Sequence, residues 1–106
     1  MKVSLVGVSK PLDMGELWEL LRVGKCDCMR YSEQIVCERN GAVVYLSVLE
    51  DPVSWPDDYG ELVDGLGCEP RTVVMLRVSH AEGSLELSKD VVERLSELAK
   101  VYELTD

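Results

Sequence analysis

The segment QIVCERNGAVVYLSVL, residues 34–49, contains the clearest local structural signal in the chain. In it, Asn40-Gly41 separates two apolar runs, Gln34–Glu38 and Ala42–Leu49. An Asn-Gly pair favours the type I′ turn, whose twist matches that of two antiparallel strands. Both faces of the second run are largely apolar, which is typical of a central strand. Residues 26–49 are therefore predicted to form a β-hairpin inside a sheet.

The residues before this hairpin predict one strand and one helix. Val3–Val8 is rich in β-branched residues and indicates a strand. Asp13 is placed to cap a helix, with Glu16 three residues later as in a capping box. The helix has one apolar stripe and is expected to end at Gly24. The stripe consists of Met14, Leu17, Trp18 and Leu21.

The residues after the hairpin predict helix, strand, helix and a short final strand. A loop with two prolines, residues 51–56, leads to a helix that Asp57 or Asp58 would cap and that Gly65 and Gly67 would end. Thr72–Ser79 is a strong strand candidate. Ser88 is the expected cap of the last helix, with Val91, Leu95 and Leu98 facing inward, and Val101–Leu104 would be the last strand.

This order, β-α-β-β-α-β-α-β, predicts an α+β fold of one domain, residues 1–106. Its first six elements match the ferredoxin-like split βαβ arrangement, an antiparallel sheet with two helices on one face. The extra C-terminal helix and short strand would extend the sheet or cover its edge.

Charge restricts the partners that the chain could bind. The 106 residues carry a formal net charge of −9, which argues against general affinity for nucleic acids or anionic membranes. The acids are unevenly distributed, because residues 50–69 contain seven acidic and no basic side chains. Either this charge only keeps the protein in solution, or it faces a basic partner.

The sequence begins without a signal peptide and contains no apolar stretch as long as a membrane span. A cytoplasmic location is therefore expected, where cysteines remain mostly as free thiols. The four cysteines, Cys26, Cys28, Cys37 and Cys68, could in principle bind zinc. Their spacing lacks paired C-x₂₋₄-C knuckles, and in a regular strand Cys37 has the opposite parity to Cys26 and Cys28. They are interpreted as small core residues, and no metal or cofactor is predicted.

Catalysis is not predicted either. His80 is the only histidine, and it follows a strand in a polar turn, where histidine is usually exposed. The carboxylates at Asp57, Asp58 and Glu61 are interpreted as surface charge and helix-dipole partners. The glycines have neither Walker nor dinucleotide spacing.

The most suggestive segment places Trp55 and Tyr59 among unbalanced acids. These aromatic residues are common anchors of protein interfaces, and carboxylates around them would steer a basic partner. Against this stands the ordinary alternative that Trp55 packs over the sheet edge. The predicted partner-binding residues are Glu50, Asp51, Trp55, Asp57, Asp58, Tyr59, Glu61 and Asp64.

The segment from Gly83 to Leu98, GSLELSKDVVERLSEL, followed by a short strand, resembles the C-terminal end of small bacterial immunity proteins of polymorphic-toxin and contact-dependent inhibition systems. That resemblance implies a non-enzymatic protein that neutralises a cognate toxin. It implies no particular functional residue.

Two functions are therefore expected. The first is a protein-binding inhibitor that occludes the active site of a basic, nuclease-like toxin; inhibitors of restriction or CRISPR nucleases would use the same physics. The alternative is a ferredoxin-like regulatory module that binds a small ligand as a homodimer. The oligomeric state is left open.

Overall fold

A computed structural model describes residues 2–24, 26–51 and 56–105. These residues form an α+β fold with a six-stranded sheet and three helices. The strands are β1 Lys2–Val8, β2 Asp27–Arg30, β3 Ile35–Arg39, β4 Ala42–Val48, β5 Thr72–Val78 and β6 Val101–Thr105. The helices are α1 Met14–Leu21, α2 Pro56–Leu66 and α3 Ser84–Ser96.

All neighbouring strands in the sheet are antiparallel, in the order β2-β3-β4-β5-β1-β6. Strand β5 lies between β4 and β1, and the neighbours of the N-terminal strand in the described sheet are β5 and β6. The sheet has one more strand than predicted, because β2 pairs with β3 and turns the predicted hairpin into a three-stranded meander.

The Asn-Gly turn is confirmed. Asn40 and Gly41 both have positive φ angles, 51° and 86°, as a type I′ turn requires. The turn sets the register of β3 against β4, in which Arg39 lies opposite Ala42 and Cys37 opposite Val44. This register places Ile35, Cys37, Val44 and Leu46 in the core.

The predicted start of α1 is confirmed as well. The Asp13 side chain accepts a hydrogen bond of 2.8 Å from the Glu16 backbone N–H. Such a cap satisfies one of the donors that the first helical turn leaves unpaired. Leu17 and Leu21 are buried, and the helix ends at Leu21, three residues before Gly24.

The predicted starts of the other two helices are wrong. Helix α2 begins at Pro56, so Asp57 and Asp58 lie in its first turn and do not cap it. Helix α3 begins at Ser84 after Gly83, whose φ of 85° is left-handed, and Ser88 lies buried inside the helix. Because α3 begins and ends earlier than predicted, Leu98 follows the helix and is exposed.

The helices cover both faces of the sheet. On one face, α1 and α3 enclose the larger core with residues such as Val6, Leu76 and Val91. On the other face, Leu62 of α2 packs with Leu5 and Val73. The ferredoxin-like arrangement, with two helices on one face and the third at an edge, is not confirmed.

Among the described residues, no helix combines the length and the apolar character needed to cross a membrane.

Candidate protein-binding surface and cysteine cluster

Three acidic side chains form a continuous exposed stripe along α2. Asp57, Glu61 and Asp64 are spaced i, i+4, i+7, which places them on one side of a helix. The opposite side of α2 is anchored by the buried Leu62 and Leu66. We call Asp57, Glu61 and Asp64 the acidic stripe. Because Leu62 and Leu66 are buried on the opposite side of α2, the carboxylates of the acidic stripe face solvent.

The acidic stripe is not neutralised by the described part of the chain. The ion pairs found there join Arg22 to Glu19, Arg39 to Asp90 and Arg94 to Glu97, and none includes a residue of α2. The charge of the stripe is thus available to an external partner.

The structure brings together only part of the predicted binding set. Asp58 and Tyr59 lie on α2 but are half-buried. Glu50 is exposed and lines a different shallow cleft, with Asp13 and Glu33. Asp51 is also exposed. Trp55 lies outside the described residues, so the prediction that it anchors an interface stays a prediction.

Sequence reasoning missed an open part of the sheet on the same side as α2. Cross-strand register places Met29, Val36, Tyr45 and Arg77 in one row across β2 to β5. Helix α2 contacts β1 and β6, and no described helix covers β2 to β4 on this side. Val36 and Tyr45 are half-buried, and Met29 is 60% exposed. We call Met29, Val36 and Tyr45 the open sheet face.

Arg77 contributes the basic group at the end of this row. Its guanidinium carbon lies 5.8 Å from the centroid of the Tyr45 ring, within the range of a cation–π interaction. It also donates a hydrogen bond of 3.2 Å to Gln34. Arg77 therefore links Tyr45 of β4 and Gln34 on the same side of the sheet.

Three of the four cysteines meet on the opposite face of the sheet. Cys28 Sγ lies 2.7 Å from Cys37 Sγ and 3.5 Å from Cys26 Sγ. All three sulfurs lie within 4.8 Å of one another. Cys37 is fully buried, whereas Cys26 and Cys28 are half-buried. We call these residues the cysteine cluster; Cys68 is exposed and separate from it.

The prediction that Cys37 points away from Cys26 and Cys28 is wrong. Strands β2 and β3 are joined by residues 31–34, and their register pairs Arg30 with Ile35 and therefore Cys28 with Cys37. Directly paired residues of antiparallel strands project from the same face. The alternation of side chains along one strand does not continue through the loop of residues 31–34 into the next strand. The length of that loop was the signal that could have revealed the cluster.

The three thiols differ strongly in acidity. The hydrogen bond from Cys37 lowers the pKa of Cys28 to about 7, an effect larger than the opposing effect of its burial. Burial, followed by the hydrogen bond with Cys28, raises the pKa of Cys26 to about 11. The hydrogen bond with Cys28 and then burial also raise the pKa of Cys37. Cys28 is therefore the first thiol of the cluster to ionise as the pH rises.

The cluster is connected to solvent through Cys26. This residue lines a cleft of about 270 Å³ between the end of α1 and α3. Arg39 also lines the cleft and is paired with Asp90 at 2.5 Å. An ion or small reagent in this cleft can therefore reach the Cys26 residue without opening the core.

His80 is exposed at the end of β5 and lines a shallow surface cleft with the first residues of α3. Among the described residues, no histidine belongs to the cysteine cluster.

Comparisons with protein-family models, curated proteins and solved structures found no significant match to this chain.

Proposed function

We propose that this chain is a non-enzymatic inhibitor that binds a basic protein, of the kind that immunity proteins provide against nuclease-like toxins. The observation that carries the proposal is the acidic stripe, Asp57, Glu61 and Asp64, exposed along α2 without a basic partner among the described residues. An enzyme that acts on nucleic acid presents basic groups to the phosphates of its substrate. Carboxylates held on a rigid helix would occupy that basic site in place of phosphates.

Electrostatic complementarity supports this assignment in a second way. Opposite charges speed the encounter of two proteins and disfavour wrong partners, although they add less to the final affinity. A stripe on a helix anchored by Leu62 and Leu66 loses little conformational freedom on binding, because its backbone is already ordered.

The open sheet face would supply the apolar contacts that a stable interface also needs. The Arg77 guanidinium lies over the Tyr45 ring, and Met29 is exposed two strands away in the same row, with Val36 between them, on the same side of the sheet as α2. Aromatic and methionine side chains are enriched in protein interfaces, and a charged rim commonly surrounds them.

The alternative, a ligand-binding homodimer, was based on a ferredoxin-like fold. The ferredoxin-like arrangement is not confirmed, because β5 lies between β4 and β1 and the helices occupy both faces, so the alternative has less support than the inhibitor. We therefore prefer the inhibitor.

The proposal is tested by isolating the basic protein that the wild-type chain binds in lysate of its host and then measuring both affinity and inhibition. The triple variant Asp57→Lys, Glu61→Lys, Asp64→Lys should bind that protein at least tenfold more weakly, about 1.4 kcal/mol. It should also lose stoichiometric inhibition of the partner's activity. Binding is measured by calorimetry and inhibition by titration of the partner's own activity.

A second triple variant is the matched control. Glu82→Lys, Glu86→Lys and Glu93→Lys change the net charge equally, and all three positions are exposed on or beside α3. Glu86 lies in the first turn of its helix, as Asp57 does. If both triples weaken binding equally, or if neither does, the acidic stripe is not the binding surface.

A further inference from the structure

The cysteine cluster is a separate feature that the inhibitor function does not use. We propose that Cys26, Cys28 and Cys37 together bind one soft, thiophilic metal ion, with the three sulfurs as ligands. The inference starts from their convergence: two of the residues are directly paired across β2 and β3, and the third enters from the segment just before β2. No described histidine or carboxylate joins the three sulfurs in this group.

The spacing of the sulfurs suits a single ion. Two sulfurs bound to one tetrahedral zinc ion at about 2.3 Å each lie about 3.8 Å apart. The Cys26–Cys28 distance is 3.5 Å, and no pair exceeds 4.8 Å. The 2.7 Å between Cys28 and Cys37 has to widen by about 1 Å on the same bond lengths. The Cys26–Cys37 pair lies within 4.8 Å and has to close by at most about 1 Å, and side-chain rotation can provide both changes.

The donor set identifies the class of ion. Thiolates are soft ligands that favour Cu⁺ and Zn²⁺, whereas Mg²⁺ and Ca²⁺ prefer oxygen. Three thiolates satisfy a three-coordinate Cu⁺, while Zn²⁺ would need one further ligand, such as water, in its fourth position. The three sulfur ligands therefore indicate a soft metal ion. Titration with Cu⁺ and with Zn²⁺ distinguishes between the two candidates.

The surroundings favour binding over a purely packing role. A cysteine that only fills space in a core is usually enclosed by apolar atoms. Here Cys26 and Cys28 are half-buried, and Cys26 lines a cleft that would admit the ion. Cys37 lies at the buried end of the cluster, where the ion would be held against the sheet.

The site would also secure the edge of the sheet. Strand β2 is short and mostly exposed, and among the described strands it pairs with β3 alone. An ion bridging Cys28 to Cys37 and Cys26 would fasten this strand, and the segment before it, to the core.

The test uses the full chain, reduced with a phosphine under anaerobic conditions and freed of metal. Zn²⁺ and Cu⁺ are titrated separately against a coloured chelator, and Co²⁺ serves as a spectroscopic probe. We expect one ion per chain, with a Kd below about 1 µM for at least one of the two ions. Co²⁺ should produce the charge-transfer absorption of thiolate ligation, and the bound ion should raise the Tm.

Three single variants make the assignment specific. Cys26→Ser and Cys28→Ser should each weaken binding at least tenfold, because each removes one sulfur ligand. Cys68→Ser is the matched control, since it removes an exposed cysteine outside the cluster and should leave affinity unchanged. Circular dichroism of the metal-free variants checks that they remain folded, and Cys37 is left intact because it is fully buried.

Three results of the binding experiments would overturn the proposal. These are the absence of 1:1 binding by either ion, affinity unaffected by Cys26→Ser and Cys28→Ser, and loss of affinity in Cys68→Ser. A Cys28–Cys37 disulfide that resists the reductant, seen by mass spectrometry as the loss of two hydrogens, would equally count against it. Binding of Cu⁺ alone would indicate three-coordination, and binding of Zn²⁺ would indicate an added ligand.

Discussion

The Cys28 sulfur lies within hydrogen-bonding distance of two neighbouring thiols, and this sets its chemistry apart from that of the other cysteines. Its partners, Cys26 and Cys37, have raised pKa values and remain protonated at neutral pH. Hydrogen bonds to a charged form stabilise that form, so the negative charge concentrates on one sulfur. In the metal-free protein, we therefore expect Cys28 to be the most reactive thiol of the cluster.

This leads to a pH-dependent prediction. Because only the thiolate attacks alkylating agents, the rate at which iodoacetamide modifies Cys28 should rise with pH around a midpoint near 7. The sign follows from the lowered pKa: the thiolate is present above this pH and is lost below it. Peptide mass spectrometry of the reduced, metal-free protein measures the rate at each cysteine.

Replacing Cys28 by serine should remove this reaction, and replacing Cys68 should not affect it. If Cys26 or Cys37, and not Cys28, is alkylated with a midpoint near pH 7, the assignment of the lowered pKa to Cys28 is incorrect.

Single residues were predictable where the signal was local. The Asp13 cap and the Asn40-Gly41 turn each depend on side chains and backbone within a few positions, so the sequence is sufficient. The cysteine cluster depends on the β2–β3 register, which no single residue determines. Trp55 remains untested because it lies outside the described residues.

At the scale of elements, α2 lies close to β6 because of one glycine. A Cβ atom added at Gly65 would lie 2.4 Å from two atoms of the Tyr102 ring. Gly65 was predicted to end the helix, but it lies inside the helix, which continues to Leu66. Its role is to leave space for the ring, because a side chain there would occupy the same position.

We accordingly predict that Gly65→Ala destabilises the protein by about 1–3 kcal/mol, the usual cost of overpacking. Gly60→Ala in the same helix is the control, since its added Cβ would meet nothing within 4 Å. That change should stabilise by about 0.5–1 kcal/mol, because alanine favours the helix. Urea denaturation measures both.

Tyr102→Ala combined with Gly65→Ala should recover part of the loss, because it removes the ring that the new methyl group meets. Equal effects of Gly60→Ala and Gly65→Ala would show that helix propensity, not contact with Tyr102, determines the outcome.

Element boundaries could be predicted where the apolar pattern was strong. β1, β4, β5 and β6 were each placed with ends within one residue of those observed. β2 was missed because it is short, mostly exposed and lacks β-branched residues, so pairing with β3 alone defines it. The start of α3 was misplaced because Ser88 has the residue type of a cap, while the helix begins after the left-handed Gly83.

At the scale of the whole molecule, the acidic stripe lies on the outer surface, away from the apolar core. The chain carries a formal net charge of −9, and the acidic stripe extends along the outer side of α2. Charges on one side of a molecule produce a field that reaches about a Debye length, roughly 8–10 Å at physiological salt. Added salt should therefore affect association more than it affects the fold.

For the proposed inhibitor, the association rate with its basic partner should fall as ionic strength rises. The dependence should be much shallower in the triple variant of Asp57, Glu61 and Asp64, because the attracting charges are reversed. Stopped-flow mixing at a series of salt concentrations measures the slopes. An association rate that does not change with salt in the wild type would contradict steering by the acidic stripe.

The global arrangement was the least predictable part of the fold. Amphipathic patterns show that α1, α2 and α3 each cover a sheet, but not which face each one covers. That choice depends on strand order, and the position of β5 between β4 and β1 has no local signature. The class α+β could thus be predicted from the sequence, while the distribution of helices over two faces could not.

The position of β5 also has a consequence for the newly made chain. Strands β2, β3 and β4 pair residues close in sequence, such as Asp27 with Glu38 and Ile35 with Leu46, and can meet soon after they leave the ribosome. The apolar N-terminal strand has to wait for residues 72–78 before it finds a neighbour. Until then it is an unpaired strand that a chaperone or another nascent chain could capture.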